Sequence, residues 1–143
     1  MLAFLGCNSS DTRSAYWHVR EGQIYPPASI GSEPYYFIGA NFWYGVIIAS
    51  EGEGGDRERL HRELDALQAI GVNNLRILVG ADGPAGTHSK VEPTLQKAPG
   101  EYDQSLLRGL DYLMVELGRR NMSAVLYLNN AWEWSGGFGQ YLI

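Results

Sequence analysis

The sequence predicts an α/β fold organised around a parallel sheet, and three observations predict it. Nearly uninterrupted apolar runs recur at 35–44, 75–79 and 124–128. Two amphipathic segments lie between them, and the resulting order of strand, helix, strand, helix, strand requires crossover connections.

The chain has 143 residues, with 45% hydrophobic and 19% charged side chains. That is enough apolar material for one modest core and too little charge for a disordered polyelectrolyte. Eleven Lys and Arg against sixteen Asp and Glu give a net charge of −5. With no basic cluster beyond Arg119-Arg120, the composition argues against nucleic acid as a partner. The single Cys7 excludes an internal disulfide, and His18, His61 and His88 are too scattered for a spacing-based zinc motif. No metal site, cofactor or partner protein is legible. No apolar run approaches the roughly 20 residues of a membrane-spanning helix.

Residues 1–7 (MLAFLGC) form a short apolar run ending in Gly-Cys, followed by a polar stretch. They read as the remnant of a bacterial lipoprotein signal, with Cys7 as a lipid-anchor candidate and a secreted, periplasmic or cell-surface location. The run lacks a preceding positive charge, so a frayed terminus is the competing reading. Residues 8–34, with little periodicity and the pair Pro26-Pro27, read as a tether and approach segment. The fold proper is expected from residue 35.

Residues 35–44 (YYFIGANFWY) are rich in aromatic side chains and predict a first strand buried on both faces, with Tyr35, Tyr36 and Phe37 in the core. Asp56 can cap the segment that follows, where Leu60, Leu64, Leu67 and Ile70 recur at helical spacing and Gly71 marks the stop. Leu75 to Val79 predict a second buried strand carrying one charge, Arg76. A guanidinium in that setting demands a carboxylate or several acceptors. After a loop holding Gly83-Pro84, Pro93 and Pro99-Gly100, residues 104–120 place Leu106, Leu110, Leu113 and Leu117 on one stripe, with Leu107 and Met114 beside it. Residues 124–128 predict the third strand. A doubly wound sheet and a (β/α)8 barrel both accommodate this order.

In either architecture chemistry gathers at the carboxyl ends of the strands. The glycines of 51–56 (EGEGGD) are interleaved with carboxylates and have the wrong spacing for a phosphate cradle, so they read as a surface loop. The strand ends instead place aromatic rings beside amides: Asn41 and Trp43 at the first, Asn129, Asn130, Trp132 and Trp134 at the third. Sugar rings stack their C–H faces on indoles while their hydroxyls need paired donors and acceptors. Trp43 also fits as a core aromatic. Trp132 and Trp134, beyond their strand in a loop ending Ser135-Gly136-Gly137, fit ligand contact better. Glu51, Asp82 and Glu133 are loop carboxylates of the kind glycoside hydrolysis uses in pairs, although most loop carboxylates are simply solvated.

With these residues in view, the sequence from about residue 34 to 143 resembles glycoside hydrolase family 5, most closely its endo-β-1,4-mannanase branch. The likeness rests on PYYFIGANFWYG, DRERLHRELDALQAIGVNNLRIL and AVLYLNNAWEWSGGFGQYL. The resemblance implies that 35–143 form the N-terminal part of a (β/α)8 (TIM barrel) catalytic domain, contributing its first three strands and two helices. It implies a retaining mechanism with two glutamates on strands four and seven, beyond Ile143, so the isolated chain is expected to be inactive. Arg76 matches the family's strand-two arginine, which supports the nucleophile. Asn41, Trp43, Trp132 and Trp134 match positions near the substrate cleft, and Glu133 matches a cleft loop rather than a catalytic glutamate. The expected partner is β-mannan or a related polysaccharide, and the expected reaction is mannan endo-1,4-β-mannosidase hydrolysis. Another family 5 cellulase or glucanase, a non-catalytic carbohydrate-binding protein and a truncated product are the alternatives.

Overall fold

The computed structural model describes residues 15–84 and 91–141. The candidate anchor Cys7 and the run before it lie outside the described residues. The chain divides into two compact units, Met1–Tyr36 and Phe37–Ile143.

Within the first unit, β1 (His18–Arg20) and β2 (Gln23–Tyr25) form an antiparallel hairpin. Its two-residue turn is Glu21-Gly22, with φ of 53° and 76°, the left-handed pair that matches strand twist. The Arg20 guanidinium lies 4.4 Å from the Tyr25 ring centroid, and Trp17 meets Tyr35 edge-on at 4.9 Å. A stretch without periodicity thus contains a hairpin, because three-residue strands are too short to show alternation.

The second unit carries the parallel sheet, β3 (Gly39–Asn41), β4 (Asn74–Leu78) and β7 (Ser123–Tyr127), in the order β3-β4-β7. Between them run α1 (Gly45–Ala49), α2 (Arg57–Ala69), a small hairpin of β5 (Gln96–Ala98) and β6 (Glu101–Tyr102), and α3 (Gln104–Arg119). Pro99-Gly100 makes the turn of that hairpin, with Gly100 at φ 81°. Two short 3-10 turns, Glu133–Ser135 and Phe138–Tyr141, follow β7.

Both long helices start where their caps dictate. Asp56 accepts a hydrogen bond from the Arg59 N–H, and Asp103 accepts from the N–H groups of Ser105 and Leu106. These bonds satisfy donors that a first turn otherwise leaves unpaired. Leu60 and Leu64 of α2 and Leu106, Leu113 and Leu117 of α3 bury against Leu75 and Ile77 of β4 and against Phe42, Val46 and Ile48. The central strand is buried at every position except Arg76.

Several expectations are corrected here. The first strand is three residues long rather than ten, and it is not buried on both faces. Tyr36 and Phe37 are exposed rather than core, and only Tyr35 is half-buried. The physical reason is twofold: β3 borders the sheet, and the chain turns at Phe42 into α1, which the aromatic run conceals. The third strand begins one residue earlier than expected and leaves Val125 and Leu126 exposed, because β7 is the other border strand. Ile70, at the end of α2, is 74% exposed and leaves the helix's buried stripe. Met114 is likewise exposed. Arg76 is exposed rather than buried, and its neighbours are an amide and a ring instead of a carboxylate.

Candidate functional site

The register of the sheet assembles the site. Asn41 of β3 pairs with Arg76 of β4, and Arg76 pairs with Val125 of β7. Leu75 and Ile77 turn toward the helices, so alternation sends Arg76 to the opposite face. There its Nη1 donates to Asn41 Oδ1 at 3.3 Å, and its guanidinium carbon stands 3.8 Å from the Tyr127 ring centroid. Such a stack contributes on the order of 0.5–1 kcal/mol at an exposed site. An arginine with an amide and an aromatic ring as neighbours keeps its charge available to a further acidic group.

Beyond the strand ends, Trp43 and Trp134 meet edge-on, with ring centroids 4.8 Å apart at 75°. Trp132 stands out from the surface at 75% exposure. Its backbone N–H donates to Asn130 Oδ1 at 2.9 Å, an Asx-type turn that fixes the start of the loop. Together these residues line an open groove of about 570 Å³, walled by Asn41, Trp43, Arg76, Tyr127, Asn130, Trp132 and Trp134. Of the residues singled out from the sequence, Asn41, Trp43, Arg76, Asn130, Trp132 and Trp134 border this one space, and Asn129, Glu51, Asp82 and Glu133 do not line it.

Sequence reasoning missed Tyr127 as a site residue. An aromatic closing an apolar strand looks like core, and only the register shows it beneath Arg76. It read Asp82 as one of three loop carboxylates of the kind glycoside hydrolysis uses in pairs and did not foresee its burial. That carboxylate is 6% exposed, and its Oδ2 accepts hydrogen bonds from Asn129 Nδ2 at 2.9 Å and from the Tyr141 hydroxyl at 2.8 Å. Burial pushes its pKa up, against the lowering effect of the Tyr141 bond. The other two loop carboxylates behave as ordinary surface groups: Glu51 pairs with Arg57 at 3.0 Å, and Glu133 is exposed in its 3-10 turn. The acidic glycine loop 51–56 is exposed throughout.

Parallel strands with helices packed on one face and an indole-lined groove on the other define part of an α/β domain that carries its candidate site at the carboxyl ends of its strands. Comparison with known proteins agrees. The sequence model of "GH family 5 beta-mannosidase-like" proteins matches residues 27–143, and the chain belongs to that family. It is 27% identical over 113 residues to mannan endo-1,4-beta-mannosidase 1 of Arabidopsis thaliana, covering 79% of this chain and 26% of that protein. It is 28% identical over 112 residues to mannan endo-1,4-beta-mannosidase 3 of Oryza sativa, covering 78% and 22%.

Among solved structures, the family 5 mannosidase of Rhizomucor miehei superposes with a TM-score of 0.81 at 36% identity, over 89% of this chain and 30% of that one. A mutant of that enzyme, solved with mannosyl-fructose, gives 0.80 at the same identity and coverage. The endo-1,4-beta-D-mannanase of Thermotoga petrophila, at 0.55 and 22% identity, shares the fold. The chain therefore spans between a fifth and a third of the length of these relatives. Its sheet is an open arc of the family's barrel, which decides between the two architectures left open by element order.

Proposed function

We propose that these residues form the first three-stranded arc of the catalytic domain of an endo-acting β-1,4-mannan hydrolase, and that the groove is part of its polysaccharide cleft. The observation that carries this reading is the convergence of Asn41, Trp43, Arg76, Trp132 and Trp134 on one groove at the carboxyl ends of the strands. Membership of the family supports it, as does the mannosyl-fructose bound by the Rhizomucor miehei mutant.

In this reading the exposed face of Trp132 takes the C–H face of a mannosyl ring through dispersion and apolar burial. The Asn41 and Asn130 side chains supply donors and acceptors to hydroxyls. Arg76 holds a positive charge at the floor of the groove. A carboxylate nucleophile brought there from a later strand would be kept ionised by that charge, ready to form a glycosyl intermediate. Leaving-group protonation needs a second carboxyl about 5 to 5.5 Å from the first in a retaining enzyme. Neither role falls to Glu51, Asp82 or Glu133: the first is ion-paired away from the groove, the second is buried and bonded, and the third is not among the groove's walls. The proposed catalytic pair belongs to strands beyond β7.

The test is reducing-end release by the full-length enzyme from galactomannan, glucomannan and carboxymethyl cellulose. Internal cleavage of the two mannans with cellulose left intact is expected. Cleavage of cellulose alone would assign the groove to glucans, and retention on mannan without any cleavage would make it a binding module. Surface attachment through Cys7 is part of the same proposal and rests on the sequence of residues 1–7; incorporation of labelled palmitate, lost in Cys7→Ser, is its measurement.

A further inference from the structure

We propose that Asp82 is a positioning residue for the tryptophan platform: from beyond β4 it grips the beginning, middle and end of segment 129–141 and thereby sets where Trp132 and Trp134 stand in the groove. The inference deepens the carbohydrate reading above and rests on it.

The geometry of the grip is unusual in coming from one residue. The Asp82 Oδ2 atom receives Asn129 Nδ2 at 2.9 Å, where the segment leaves β7, and the Tyr141 hydroxyl at 2.8 Å, at its far end. The Asp82 backbone N–H donates to the Ser135 carbonyl at 3.0 Å in the middle. Its own carbonyl faces Gly136, where an added Cβ would stand 2.1 Å from the Asp82 oxygen. Gly136 also has φ 103°, so the close approach and the left-handed backbone both require glycine there. One further tie, from the Val91 N–H to the Trp134 carbonyl at 3.2 Å, fixes the same stretch.

Trp132 needs such support. It is largely exposed, so packing does little to place its ring, and the backbone around it must do so. A carboxylate in a buried position is costly unless donors meet it, and the two donors that meet Asp82 both come from the segment bearing the tryptophans. Removing the acceptor leaves the half-buried Asn129 Nδ2 without its partner, a penalty that the segment relieves by moving.

The experiment uses the full-length enzyme with Asp82→Ala and Asp82→Asn, mannohexaose as substrate, and acrylamide quenching of tryptophan fluorescence without substrate. Asp82→Ala should raise KM about tenfold with kcat within about twofold, because a stacking platform binds ground and transition states alike. Quenching should rise in parallel. Asp82→Asn keeps an acceptor oxygen in place and should restore most of both. Wild-type KM and quenching in Asp82→Ala would overturn the assignment. If Asp82→Ala does not fold, Tyr141→Phe removes a single donor from the outer end of the segment; a KM rise smaller than tenfold is expected there, and unchanged KM and quenching overturn the proposal. A wild-type enzyme that leaves mannohexaose uncut refutes the mannanase reading, while the quenching measurement still decides whether Asp82 holds the loop.

Discussion

Arg76 lies over Tyr127 although the two residues are not directly paired: the register sets Arg76 opposite Val125 and Tyr127 opposite Leu78, and the guanidinium reaches diagonally to 3.8 Å from the ring centroid. The diagonal turns the charge toward the carboxyl end of the sheet, where Trp43, Asn130 and Trp132 continue the wall of the groove.

Replacing that charge tests its role. In the full-length enzyme Arg76→Ala should lower kcat on the order of a hundredfold, the loss expected of a misplaced reacting group, while KM changes much less. Turnover at the wild-type level would remove Arg76 from the mechanism.

Trp132→Ala separates binding from stability. An exposed ring contributes little to folding, so the unfolding free energy should stay within about 0.5 kcal/mol of wild type. Its loss as a stacking surface should raise KM for mannohexaose in the full-length enzyme roughly fivefold, about 1 kcal/mol, with kcat little changed.

Acid should unfold the protein through its caps. The hydrogen bonds of Lys97 and Ser105 hold the Asp103 carboxyl well below the usual carboxylate range. Burial alone would raise Glu116, but Arg120 and the charges of Arg119 and His61 bring it below its ordinary value. Both groups are depressed in the folded state, so their contribution is present above their unfolded pKa values and is lost as pH falls through the folded ones. Asp82 has the opposite sign: its raised pKa means that its contribution is present at low pH and is lost as pH rises through the folded value. Urea midpoints should therefore drop below about pH 4. The drop should be shallower in Asp103→Asn, which keeps a capping oxygen without a titrating group.

The Glu116 cluster gives a larger effect. Its carboxylate, 2% exposed on α3, accepts from Arg120 Nη1 at 2.7 Å and from Arg119, while Arg120 also reaches Asp65 of α2 at 2.8 Å. Glu116→Ala leaves the Arg120 guanidinium, itself mostly buried, with Asp65 as its carboxylate partner, and should cost about 3 kcal/mol in urea unfolding.

The 143-residue chain produced alone should associate or remain partly unfolded. Among the described residues β3 and β7 each pair on one side only, and Ile38, Val125, Leu126 and Leu128 are exposed. Open edges of this kind invite pairing with other chains. A monomer by sedimentation, with a cooperative thermal transition and no dye binding, would contradict this expectation.

The helices were the most legible part of the sequence. Asp56 and the leucine spacing placed α2, and the second leucine stripe placed α3, because helical periodicity survives over many turns. The aromatic run at 35–44 was misread for the opposite reason. Ten mostly apolar residues without alternation do not reveal that only three form a strand, that Phe42 turns inward, or that α1 begins at Gly45 just beyond the run. Trp132 and Trp134 stood out because indoles beyond a strand lack an obvious core to fill. Asp82 resembled any loop acid, since its partners lie 47 and 59 residues away.

Local sequence alone thus determined which segments become helix and strand, and which residue types collect at the strand ends, since caps, periodicity and turn chemistry act over a few residues. Tertiary structure decided what those residues do together. Register put Arg76 between Asn41 and Tyr127, and border positions left the outer strands exposed. The fold also brought Asp82 under the tryptophan loop, because parallel crossovers join groups that the chain keeps far apart.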